Sequence, residues 1–150
     1  MKIAYFSLGC FWGPQLEFEK IKGVKKTEVG YCGGDDTNTT YEKVCSGSTN
    51  HAETVKVEFD DKVVSYEELV RFFFKTHDPT QLNRQGPDIG SQYRSEIFYK
   101  DEAQKKVAEN IKAEFNEKFK GKIVTNISKE KLYQPAEKYH QYYLKRKNII

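Results

Sequence analysis

A two-layer α/β domain is the fold class predicted by this sequence of 150 residues. Three observations predict it. Apolar runs of strand length alternate with stretches whose apolar residues recur at helical spacing. No internal repeat and no dividing linker interrupts that alternation, so residues 1–150 read as one domain. A chain of this size also buries roughly 68–70% of its unfolded surface, so its core needs neither disulfides nor metal.

The elements follow in order. Residues 2–8 (KIAYFSL) are apolar enough for a buried strand, and Gly9 turns the chain into a helix carrying Phe11, Trp12, Leu16 and Ile21. Pro14 restricts its own position to that helix's first turn. A second strand follows Gly23 and ends in the turn of Gly30, Gly33 and Gly34. Residues 53–59 (ETVKVEF) alternate strictly, with Val55, Val57 and Phe59 on one face, which is the pattern of a half-buried strand. Ser65 and Glu68 form a capping box ahead of Tyr66, Leu69, Val70, Phe73 and Phe74 on one helical face. Asp101 and Gln104 mark another helix start, followed by Ala103, Val107, Ile111, Phe115 and Phe119, with Gly121 as the stop. Residues 122–127 read as a strand, and Pro135 as the opening of a short helix carrying Tyr139, Tyr142 and Tyr143. Residues 33–52 and 77–94 fit neither period. Loops that long inside a compact domain are usually functional, and these are rich in Tyr, Asp, His, Asn and Arg.

Composition narrows the function. With 25 basic and 22 acidic residues, the net charge of +3 is too small to mark a nucleic-acid or membrane surface. Three cysteines form an odd set without a CxxC pair, which argues against a disulfide framework or a zinc knuckle. No run of about 18 apolar residues is present, and MKIAYFSLGCFW reaches Gly-Cys before a signal peptide's apolar region is complete. A soluble, cytoplasmic protein without metal or bound cofactor is expected, in a compartment where thiols stay reduced. Ten Phe, ten Tyr and one Trp point to a core or a site built on rings.

Cys10 stands where a strand hands over to a helix, so unpaired backbone N–H groups at the helix start can face its sulfur. That placement predicts a thiol lowered into the range of roughly 3.5–7.5 and active as a nucleophile. Gly9 and Gly13 on either side leave room for approach. Counting back by twos from Phe59 puts Glu53 on the apolar face of its strand, where desolvation raises a carboxyl toward neutrality and lets it act as an acid.

Five stretches in order carry a resemblance: Gly9-Cys10-Phe11-Trp12-Gly13; Gly30-Tyr31-Cys32-Gly33-Gly34; TYEKVCSG at 40–47; His51-Ala52-Glu53; and HDPTQLNRQG with GSQYRS within 77–95. YHQYY at 139–143 extends it. Together they resemble the A-type methionine sulfoxide reductases, the peptide-methionine (S)-S-oxide reductases. The resemblance implies a ferredoxin-like two-layer α/β sandwich with added helices and long active-site loops. It further implies reduction of methionine-(S)-sulfoxide, free and in oxidised proteins, by a monomer. Cys10 is then the attacking thiol and Glu53 the acid, Tyr41 and Tyr93 bond the sulfoxide oxygen, Phe11 and Trp12 cage its methyl group, and Asp88 positions the substrate. Attack leaves a sulfenic acid on Cys10, which a second thiol must resolve. Many family members hold recycling cysteines in a C-terminal tail, and the tail LKRKNII has none. Cys32, in place of the family's common alanine, is the candidate resolving cysteine, and Cys45 is expected to be buried. The alternative is an external reductant, thioredoxin or glutathione with glutaredoxin. Asn50 and Pro87 also depart from the common pattern, which bears on substrate positioning and not on the reaction.

Two other classes compete. A papain-like hydrolase wants Cys-Gly-Ser/Ala-Cys-Trp, which is absent. A module that only binds oxidised peptides leaves the combination of Cys10, Glu53 and two tyrosines without a purpose.

Overall fold

The computed structural model describes residues 1–147, and the last three residues of the tail LKRKNII lie outside them. Six strands build one sheet: β1 (Lys2–Leu8), β2 (Val24–Cys32), β3 (Ala52–Phe59), β6 (Ser95–Tyr99), β7 (Asn126–Lys129) and β8 (Gln134–Pro135). Their spatial order is β7-β6-β1-β3-β2-β8, antiparallel throughout except for the parallel pair β6 and β7. The helices are α1 (Trp12–Glu19), α2 (Tyr41–Cys45), α3 (Tyr66–Lys75), α4 (Glu102–Lys118) and α5 (Tyr143–Arg146). A two-stranded hairpin, β4 (Arg84–Gln85) with β5 (Asp88–Ile89), stands apart from the sheet.

Alternation along the strands separates two faces. Phe6 sits opposite Val55 and Ala4 opposite Val57, while β2 brings Val29 to Val55 and Tyr31 to Glu53. The apolar residues and Tyr31 among these form the main core with Phe18 of α1, Phe73 of α3 and Ile111 of α4. The core is built on rings: Phe6 stacks on Phe18 at 5.0 Å and lies 5.6 Å from Phe73. Tyr5, Cys32, Ala52 and Phe98 form a smaller cluster on the opposite face. Ser65 and Glu68 close both bonds of the expected capping box. No helix among the described residues is long and apolar enough to cross a membrane.

Several expectations need correction. α4 buries Gln104, Ala108, Ile111 and Phe115 and leaves Ala103 exposed. A strict four-residue spacing drifts around a helix of 3.6 residues per turn, and Gln104 is drawn inward to donate to the Ile3 carbonyl at 2.9 Å. Residues 122–125 are not strand: Val124 donates its N–H to Pro79, and pairing with β6 begins only at Asn126. Pro135 opens no helix. It lies in β8, opposite Gly30 on the edge of β2, where a missing N–H is tolerated, and a 3₁₀ turn (Lys138–His140) and α5 follow. The two long loops contain α2 and the β4–β5 hairpin, short elements whose few residues carry no readable period.

Candidate active site

Glu53 is the second residue of β3 and only 1% exposed, on the same face as Tyr31. Its Oε1 accepts the backbone N–H of Phe11 at 3.2 Å, and its Oε2 accepts from Nε2 of Gln92 at 3.4 Å. Burial lifts this carboxyl to about 7; the two hydrogen bonds pull down against it and the charge of Asp88 adds to the rise.

Cys10 occupies the bend between β1 and α1. Gly9 makes the bend with φ +101°, and a Cβ there would come within 2.9 Å of the Gln85 side chain. The expected thiolate is not found. Burial pushes the Cys10 thiol up to about 12; the Trp12 backbone N–H opposes this, and the carboxylates of Glu53 and Asp88 reinforce it. One amide at the start of an eight-residue helix does not outweigh desolvation plus two nearby negative charges.

The phenols come from two other elements. Tyr41 is the first residue of α2, and Tyr93 ends the 3₁₀ turn after β5. Burial first, then the charge of Glu53, pushes Tyr93 up to about 12, with further pushes from Cys45, Asp88 and Cys10. Tyr41 is raised first by burial, with the nearby Cys45 thiol and the charge of Glu53 adding to the rise. Both phenols therefore keep their protons at neutral pH and serve as donors. Asp88, half-buried on β5, faces the same group, since its charge is felt at Cys10, Glu53 and Tyr93.

Phe11 is buried, its ring 5.8 Å from Tyr31 and 5.3 Å from His140. Trp12 is half-buried; its Nε1 donates to Nδ1 of His140 at 3.1 Å and its indole stacks on Tyr143 at 3.9 Å. Among the described residues, no group of three His, Cys, Asp or Glu side chains is arranged to hold a metal ion.

Cys10, Glu53, Tyr41, Tyr93, Asp88, Phe11 and Trp12 thus converge. Cys32 does not. It pairs with Ala52 at the end of β2, fully buried on the far face of the sheet, where its thiol donates to the Lys131 carbonyl and burial pushes it up to about 12. Cys45, expected to be buried, is exposed: its sulfur accepts from the same Gln92 nitrogen that reaches Glu53. Gln92, Cys45, Glu137 and His140 are further neighbours of the site. All four lie in stretches that resemble the family or adjoin them, but their roles depend on contacts distant in sequence.

Known proteins resemble this chain in sequence and in fold. A family model described as peptide methionine sulfoxide reductase matches residues 2–149. The chain is 56% identical over 147 residues to peptide methionine sulfoxide reductase MsrA of Pelagibacter ubique, covering 98% of this chain and all of that one. It is 49% identical to the MsrA of Methanothermobacter thermautotrophicus, over 95% of this chain and 86% of the relative. Among solved structures, the reduced form of Mxr1 from Saccharomyces cerevisiae superposes with a TM-score of 0.94 at 38% identity, over 98% of this chain and 86% of that one. Mxr1 in complex with Trx2 matches with a TM-score of 0.68 at 28% identity, over 95% of this chain and 84% of that one. A match of that extent, at such identity along the whole of both chains, shows that this chain belongs to the peptide methionine sulfoxide reductase family and is an oxidoreductase that reduces methionine sulfoxide.

Proposed function

We propose that the chain, as a single catalytic unit, reduces the S epimer of methionine sulfoxide, free and in oxidised proteins. The reading rests above all on one observation: a buried carboxyl held at about 7 next to the Cys10 bend, with two protonated phenols facing it. Cys10 attacks the sulfoxide sulfur, a Cys10–sulfur bond forms, and the oxygen takes a proton from Glu53. The hydroxyl then passes to the Cys10 sulfur, the substrate sulfur leaves as sulfide, and the thiol's own proton replaces the one Glu53 gave up. Thiol and sulfoxide become sulfenic acid and sulfide, with no net change in protons. At pH 7 the Glu53 carboxyl is about half protonated, so it can both give and recover a proton. Protonating it also removes one of the charges that hold the Cys10 proton in place.

Tyr41 and Tyr93 bond the oxygen, Phe11 and Trp12 enclose the methyl group, and Asp88 positions the substrate. The sulfide product has no oxygen to accept these bonds, and each donor left buried without a partner costs about 1–3 kcal/mol, which favours release. Cys32 faces away across the sheet, which favours regeneration of Cys10 by an external thiol over the Cys32 route. Thioredoxin is supported by the Mxr1–Trx2 complex, and glutathione with glutaredoxin is the alternative. A cytoplasmic site of action suits a site that works through reduced thiols. Paired assays with the two resolved sulfoxide epimers test the proposal. Turnover of the S epimer alone is expected, and equal turnover of both, or preference for R, overturns it.

A further inference from the structure

The segment after β8 crosses the site, and one side chain in it holds two elements together. Glu137 Oε1 accepts the hydroxyl proton of Tyr31 at 2.8 Å, and its Oε2 accepts the backbone N–H of Tyr41 at 3.0 Å. Tyr31 is fully buried on β2, opposite Glu53 in register. Tyr41 begins α2, where its N–H would otherwise be one of the unpaired donors of a helix start. The same carboxylate therefore spans from the strand beside Glu53 to the short helix that presents the Tyr41 phenol. α2 has only five residues and buries only Val44 among them, so its own packing does little to fix the phenol's position. Three residues further on, His140 accepts from Trp12 and lies 4.4 Å from the Tyr41 ring.

We infer that Glu137 is a positioning residue for the reaction, setting where the Tyr41 hydroxyl stands relative to Glu53 and the substrate oxygen. The inference rests on the proposed role of Tyr41 as an oxygen donor. A merely structural Glu137, satisfying a buried phenol and a helix start, would affect folding and not one donor in particular. A double-mutant cycle separates the two.

Turnover of a methionine-(S)-sulfoxide peptide with dithiothreitol is measured for the unmutated chain, Glu137→Ala, Tyr41→Phe and the double variant, with melting curves alongside. Each single change is expected to lower kcat/KM about tenfold, and the double variant also about tenfold, since the second change removes nothing further. Glu137→Gln is expected to stay within about threefold of the unmutated chain: its oxygen can accept from Tyr41 and its amide can donate to the Tyr31 hydroxyl. Should Glu137→Ala fail to fold, Glu137→Asp, too short to reach both partners, takes its place in the cycle. Losses that multiply to about a hundredfold, an Ala variant with undiminished kcat/KM, or a Gln variant as poor as Ala would each overturn the inference alone. A Tyr41→Phe variant with full activity, or an unmutated chain without turnover, would sink the oxygen-donor reading and the inference with it.

Discussion

At the scale of single residues, burial holds Glu53 in a state that costs stability and suits the acid role proposed for it. In the unfolded chain it has the ordinary value of 4.5, and burial in the folded chain moves it to about 7. Between those values the folded protein retains a proton that the unfolded chain has released, so stability falls as pH rises through that window and levels off above it. The shift corresponds to roughly 3 kcal/mol at pH 8 and to less than about 1 kcal/mol at pH 5. Glu53→Gln removes the penalty. Relative to the unmutated chain it should gain about 2–3 kcal/mol between pH 5 and pH 8 in urea unfolding. Any mismatch with the Gln92 amide is independent of pH and drops out of that difference. The same variant should lose roughly 10²–10⁴ in kcat, and the unmutated chain should lose kcat/KM above about pH 7 as Glu53 gives up its proton. An unchanged pH dependence of stability would show that Glu53 titrates normally. The alternation of residues 53–59 already placed this carboxyl on the apolar face. The Cys10 thiol was not legible in the same way, because its proton is held by burial and by Glu53 and Asp88, which reach it from β3 and β5.

At the scale of elements, what was readable is what is local. The box of Ser65 and Glu68 is complete within four residues, and α3 begins where the sequence places it. Ser65→Ala should cost about 1 kcal/mol of stability without changing turnover per folded molecule, because that cap touches no site residue. β8 could not be read, since two residues carry no period and their partner strand lies about a hundred positions away. It matters more to the site, because it leads the chain to Glu137 and His140. Gly30 is what admits it: a Cβ there would lie 2.4 Å from the Gln134 carbonyl oxygen and 2.6 Å from the Tyr133 ring. Gly30→Ala should therefore push β8 from β2, lowering stability by about 1–3 kcal/mol and, unlike Ser65→Ala, lowering kcat/KM as well. Comparing melting temperature with turnover for the two variants checks this, and equal turnover would separate the β8 contact from the site.

At the scale of the whole molecule, the sheet sets the Cys32 thiol on the face opposite Glu53. β-strand alternation makes neighbours in sequence face opposite ways, so Tyr31 joins Glu53 and the main core while Cys32 joins Tyr5, Ala52 and Phe98 on the other side. Sequence could place Cys32 beside a glycine turn, but its face depends on the register between β2 and β3, which only the assembled sheet reveals. A disulfide needs Cα atoms within about 7 Å and Cβ atoms aimed at each other. For Cys32 to reach Cys10, the end of β2 would have to leave both β3 and β8 and expose a buried thiol. The external-thiol route therefore predicts that Cys32→Ala retains turnover with thioredoxin or dithiothreitol as reductant. It also predicts the outcome of a single turnover in which one equivalent of methionine-(S)-sulfoxide is supplied and no reductant is present. Mass spectrometry should then find the added oxygen on Cys10 and the Cys32 thiol free. A Cys10–Cys32 disulfide in that experiment would mean that the sheet opens at its β2 edge during the cycle, and the external route would fall with it.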